Sequence, residues 1–165
     1  MTVNDASDPA GATIEELEQL YRERQPQFLR VAAAITGDRE RARDAVQEAF
    51  GRAIRRRMTY ARRGPLESWV WAFVVHAARD QRTSPVEVEL PANGGSNNGH
   101  HDDLGVAAAV ALLPDRQRFV LFLRYYADLD YAAIATALGV AEGTVAATLH
   151  AAHRALQKTL EEART

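Results

Sequence analysis

The sequence predicts an all-α fold of two small helical domains joined by a flexible linker, the second containing a helix-turn-helix. Apolar residues recur at spacings of three and four over most of the chain, and no stretch alternates as a half-buried strand would. Residues 83–105 interrupt that pattern with Pro85, Pro91 and the run Asn93, Gly94, Gly95, Ser96, Asn97, Asn98 and Gly99, a composition that cannot bury a core. Between Asp130 and Leu149, two short helical patterns flank Gly139, the sequence form of a helix-turn-helix. The organisation expected is a disordered tail at 1–12, a helical domain at 13–82, the linker at 83–105 and the helix-turn-helix domain at 106–165.

Each element has its own signal. Thr13 and Glu16 form a Thr-x-x-Glu capping box ahead of Ile14, Leu17, Leu20 and Tyr21. Pro26 is expected to restart the helix, giving a segment over 28–35 that stops at Thr36 and Gly37. Asp38 is placed to cap a longer helix over 39–57, with Ala42, Ala45, Val46, Ala49, Phe50, Ala53 and Ile54 inward. The opposite face carries Glu40, Asp44, Gln47, Glu48, Gly51 and Arg55. A loop over 58–64 holds Tyr60, Arg62 and Arg63, and Pro65 opens a third helix to Asp80 that is apolar nearly all round and so central. Past the linker, a short helix over 106–113 precedes one opened by Pro114 that turns Phe119, Val120, Leu123 and Tyr126 inward. Asp128 or Asp130 caps the first helix of the helix-turn-helix, and the last helix spans 142–160 with Val145 and Leu149 inward.

Composition narrows the function. A chain of 165 residues, 47% of them apolar, can bury real cores. No stretch reaches the roughly 18 apolar residues of a membrane span, and the first residues are acidic where a signal peptide would be basic, so a cytoplasmic protein without membrane insertion is expected. Cysteine is absent, which removes disulfides and thiolate metal sites. The formal net charge of −2 hides a segregation: residues 22–82 hold fourteen Arg against seven acids, while 1–21 and 83–115 each carry five acids and no base. A basic block between acidic flanks suits an anionic partner, nucleic acid first.

Catalysis and cofactors find no support, since neither a GxxxxGK[ST] loop nor a Gly-x-Ser-x-Gly elbow is present. His100, His101, Asp102 and Asp103 lie in the linker, where nothing fixes ligand geometry, and His150 and His153 lack a third ligand. No metal site and no enzyme are expected.

The order of Ala42-Arg-Asp-Ala-Val-Gln-Glu-Ala-Phe50, then Trp69 with Asp80, a linker, Leu113-Pro-Asp-Arg-Gln-Arg118 and Gly143-Thr-Val145 resembles the extracytoplasmic-function group of bacterial sigma factors. The resemblance covers residues 17–82 and 106–160. It implies a non-enzymatic protein that directs core RNA polymerase to promoters and helps open the DNA. It places Asp44, Gln47 and Glu48 on the surface that docks the polymerase β′ clamp helices. It assigns the minus-ten region to residues 58–68, with Tyr60 as a stacking ring and Arg62 and Arg63 as phosphate contacts, His76 on the third helix, and Arg79 and Arg82 adding charge along the DNA strand. An anti-sigma protein is a further partner that the group allows.

The chain departs from the group's pattern. His76 stands where Asn is common, as a DNA contact or as a buried, satisfied side chain. Ala133 removes the Glu of one capping box, and Ala141 removes the hydroxyl cap of the recognition helix. Ala146, Ala147 and Ala151 replace basic or hydroxyl residues, leaving Thr144, Thr148, His150, His153 and Arg154 to meet duplex DNA. A helix so short of cations supplies little phosphate affinity. The same helix also fits an adaptor that binds polymerase or an anti-sigma partner without reading promoters.

Overall fold

The computed structural model describes residues 10–82 and 100–165, the side chains of residues 100–104 excepted, and every regular element among them is helical. α1 (Ile14–Thr36) opens on the capping box: Glu16 N–H donates to Thr13 Oγ1 at 3.1 Å and Thr13 N–H donates to the Glu16 carboxylate at 2.8 Å. Pro26 lies inside this helix and does not restart it. Leu17, Phe28, Val31 and Ile35 keep one helical phase across the proline and are all buried, so burial outweighs the single lost hydrogen bond. Gly37 ends the helix at φ 75°, its N–H donating to the Ala33 carbonyl.

Asp38 caps α2 (Arg39–Arg55), accepting from Arg41 N–H at 2.8 Å. The helix stops two residues earlier than expected, and Arg57–Thr59 forms one 3₁₀ turn. The expected stripe is buried apart from Ile54, which is exposed, because one step past Ala53 turns it about 100° off the stripe. α3 (Leu66–Asp80) is central, with Val70, Trp71, Val74, Val75, Ala77 and Ala78 buried. Around it sits an aromatic chain: Trp71 meets Phe28 at 4.5 Å between centroids, Phe28 meets Phe50 at 5.3 Å, and Phe50 meets Tyr21 edge-on at 5.0 Å.

The second unit comprises α4 (His100–Ala111), α5 (Asp115–Tyr125), α6 (Tyr131–Leu138) and α7 (Glu142–Ala163). α4 starts within the expected linker, so residues 100–105 are helix; the rest of that linker, 83–99, lies outside the described residues, as does the tail at 1–9. Asp130, not Asp128, caps α6, accepting from Ala133 N–H at 2.8 Å. Gly139 at φ 66° makes the left-handed turn, and α6 and α7 meet at 100°. Ala141 begins α7 with no side-chain cap, and the helix runs three residues past its expected end. Val120, Leu123, Ile134 and Val145 fill this unit's centre.

The two units touch. α6 lies against α3, and α5 against α1, so the buried side chains of both units form one contiguous core. No local pattern in the sequence announces such a contact.

Candidate polymerase and nucleic-acid interfaces

α2 divides cleanly into a buried stripe and a polar face. Asp44, Gln47 and Glu48 all project to solvent from that face. Glu48 is held along its own helix, accepting from Arg52 Nε at 2.8 Å with Arg55 at 3.6 Å. Hydrogen bonding to Glu48 pushes the Arg52 guanidinium up, and Arg52 also faces Asp80 at 3.5 Å. A docking surface here is therefore an ordered strip of two carboxylates and an amide, with cations at its C-terminal end.

The loop between α2 and α3 corrects the sequence expectation at two positions. Tyr60 is buried, its ring tilted on Trp69 at 5.4 Å and its hydroxyl donating to the Gly64 carbonyl, so it offers no free stacking face. Burial pushes its phenol up. Arg62 turns inward with φ 53°, forks onto both Glu16 oxygens at 3.1 and 3.0 Å, and covers the Tyr60 ring at 5.8 Å. Residues alternate: Tyr60 and Arg62 face in, while Met58, Ala61 and Arg63 face solvent.

On α3, His76 is exposed, 3.9 Å from Asp80, and is not a buried histidine. Arg79 and Arg82 reach the second unit. The Arg79 guanidinium lies 5.6 Å from the Phe119 ring centroid, and Arg82 donates to Asp115, which also accepts from Arg118. Hydrogen bonding to Arg82, ahead of that to Arg118, holds the Asp115 carboxyl below the usual carboxylate range. A crevice between the units is lined by Arg52, Arg55, Arg56, Trp69, Phe73 and His76 on one side and by Thr136, Ala137, Leu138 and Gly139 on the other. The outer face of α3 is thus partly covered by α6.

In the helix-turn-helix, His150, His153 and Arg154 are exposed and Thr144 and Thr148 half-buried. Two of these are engaged within the chain. Thr148 Oγ1 donates to the Thr144 carbonyl at 2.6 Å, and His153 Nε2 shares a 2.8 Å hydrogen bond with the Tyr125 hydroxyl. Sequence reading placed no cation beside the start of α7, yet Arg116, from the first turn of α5, lines one groove with Gln117, Gly143, Thr144, Ala147 and Thr148. Its signal was there in Leu113-Pro-Asp-Arg116, where Pro114 fixes the start of α5.

Comparison with known proteins identifies the class. The family model for sigma-70 region 2 matches residues 20–84, and that for sigma-70 region 4 matches residues 104–157. Along its length the chain is similar to the ECF RNA polymerase sigma factor SigL of Mycobacterium tuberculosis, 32% identical with 94% of this chain and 95% of the relative covered. It is also similar to the RNA polymerase sigma-E factor of Streptomyces coelicolor, 29% identical over 89% of this chain and 85% of the relative. The chain belongs to the extracytoplasmic-function group of RNA polymerase sigma factors.

Solved structures share the fold. CnrH, solved with the cytosolic domain of CnrY, matches with a TM-score of 0.70 at 17% identity, covering 92% of this chain and 91% of CnrH. The sigma factor RpoE of Bartonella quintana, solved with the anti-sigma factor NepR, matches at 0.69 and 19%, covering 90% and 98%. Sigma factors generally act as regulators without catalysis, and among the described residues no single helix is long and apolar enough to cross a membrane.

Proposed function

We propose that the first unit carries both the polymerase-docking strip and the loop that holds single-stranded minus-ten DNA, while the second unit reads the upstream element through few contacts. The observation that carries this is the two-sidedness of α2 and the loop. Asp44, Gln47 and Glu48 contribute nothing to the core they sit over, and Met58, Ala61 and Arg63 face solvent from a loop whose other side is fully engaged. Polar groups held on a rigid scaffold without a packing role suit recognition. The strip docks the β′ clamp helices of core polymerase. Arg63 supplies phosphate contact at the loop and the exposed His76 adds to it from α3, with Arg79 and Arg82 joining once the second unit releases them. Thr144, Thr148, His150, His153 and Arg154 face the upstream duplex. The protein acts without catalysis in the cytoplasm, and an anti-sigma protein such as the one bound to the Bartonella neighbour is its natural antagonist.

Transcription from a promoter library with purified core polymerase tests the reading. Initiation at defined sites is expected, and the Asp44→Ala, Gln47→Ala double variant should form less holoenzyme at the same helical content. Undiminished holoenzyme formation by that variant removes the docking assignment. The alanine-rich start of α7 favours a second reading, an adaptor that binds polymerase without reading promoters; absence of initiation at every site in the library selects it.

A further inference from the structure

Residues 11–16 lie against the loop that the sequence assigns to DNA. Ala12 N–H donates to the Arg57 carbonyl at 2.8 Å, and the same carbonyl accepts from Tyr60 N–H at 3.3 Å. Gly11 has φ +85°, and a Cβ built there would stand 2.6 Å from both the Arg57 carbonyl oxygen and the Met58 Cα. Only glycine lets the two backbones meet so closely. Five residues on, Glu16 grips Arg62 with both oxygens while still accepting from Thr13 N–H. Hydrogen bonding to Arg62 holds the Glu16 carboxyl below its usual range. The loop is thus fastened at Arg57 and again at Arg62, and these two fastenings turn Tyr60 and Arg62 inward and leave Met58 and Arg63 outside.

We propose that Gly11 and Glu16 are positioning residues for the loop's grip on single-stranded promoter DNA, acting through Arg57 and Arg62 without touching DNA. This rests on the role proposed above for the loop. A residue at φ 53° such as Arg62 keeps that conformation only where its surroundings impose it, and the paired carboxylate imposes it. The acidic first turn of α1 thereby serves a basic loop 46 residues away in sequence.

Glu16→Gln separates this role from helix capping, because glutamine still completes a capping box but loses the charged fork to Arg62. The measurement is fluorescence anisotropy of holoenzyme, made from the full chain and core polymerase, on a labelled single strand carrying the minus-ten segment of a promoter the holoenzyme transcribes. Glu16→Gln is expected to weaken this binding by about tenfold, the order of one lost contact to a single strand, with polymerase affinity unchanged and the thermal midpoint only slightly lowered. Gly11→Ala should act in the same direction. Hydrogen exchange over residues 57–64 should quicken in both. The exchanged pair Glu16→Arg with Arg62→Glu should recover most of the affinity. Wild-type affinity in Glu16→Gln overturns the proposal, as does an exchanged pair that restores slow exchange but not DNA binding, which would make Arg62 itself the contact. Faster exchange in Glu16→Gln alongside a wild-type holoenzyme that holds no single strand would instead overturn the loop's assigned role, and with it this inference.

Discussion

The first unit links Trp71, Phe28, Phe50 and Tyr21 into one chain of rings around α3, whereas the second packs Phe119, Leu123, Ile134 and Val145 together, with Phe122 stacked on Tyr126 to one side. Edge-on and tilted ring pairs add directional contact to the area they bury. The difference extends to the helix ends: α1, with its capping box, is fastened at its start, while α7 begins at Ala141 with no side-chain cap. The unit whose first helix is fastened at its start holds a strained loop in place. The one with an open cap holds its recognition helix by packing at Val145 and Leu149.

The sharpest way to break this contrast is Trp71→Ala. Trp71 is fully buried at the centre of the aromatic group, and truncation should cost about 3–5 kcal/mol. Denaturant unfolding followed by circular dichroism measures it, and a loss below about 1 kcal/mol would show that the rings are not the unit's main support. A smaller change should come from supplying the missing cap. Ala141 already has the extended backbone of an N-cap, at φ −77° and ψ 153°, so Ala141→Ser should gain about 1 kcal/mol. Thermal unfolding reads the gain, and no shift would mean that α7's start is already fixed by its neighbours.

Acid should act on the two paired carboxylates, Glu16 and Asp115, and by less, since both keep much of their surface in water. Their folded values are lowered, so each contributes stability that is fully present above the ordinary carboxylate pKa of about 4 and is lost as pH falls through the lowered value. Glu16→Gln and Asp115→Asn should flatten the acid limb of stability against pH in urea titrations. An unchanged limb in both would detach these pairs from stability. The smallest stability change belongs to Asp44→Ala, within about 0.5 kcal/mol, since that side chain is exposed. Calorimetry beside a polymerase pull-down checks it: a large loss of stability would place Asp44 in the fold rather than in docking.

What could be read from the sequence was what short spacings encode. The capping box at Thr13, the caps at Asp38 and Asp130, the glycine turns at 37 and 139 and the bare start of α7 each depend on residues within four positions of one another, and each appears in the structure. Pro26 misled because a local rule competed with a longer one: the apolar phase linking Leu17 to Phe28 continues through it, and that phase was the better guide. The candidate site was legible in residue type but not in facing. Sequence shows Tyr60 as a ring and Arg62 as a cation; that the ring turns onto Trp69 and the cation onto Glu16 depends on partners outside the loop. The same holds for Arg79 and Arg82, whose contacts with Phe119 and Asp115 cross between units.

The contact of α6 with α3 has a consequence for apparent affinity. Any ligand that needs the part of α3 lying under α6 meets it only in those molecules where α6 has moved off. Its measured dissociation constant is then the intrinsic one divided by the open fraction. Asp115→Asn, which weakens that residue's pair with Arg82, would tighten such binding without altering a residue in the ligand's own footprint.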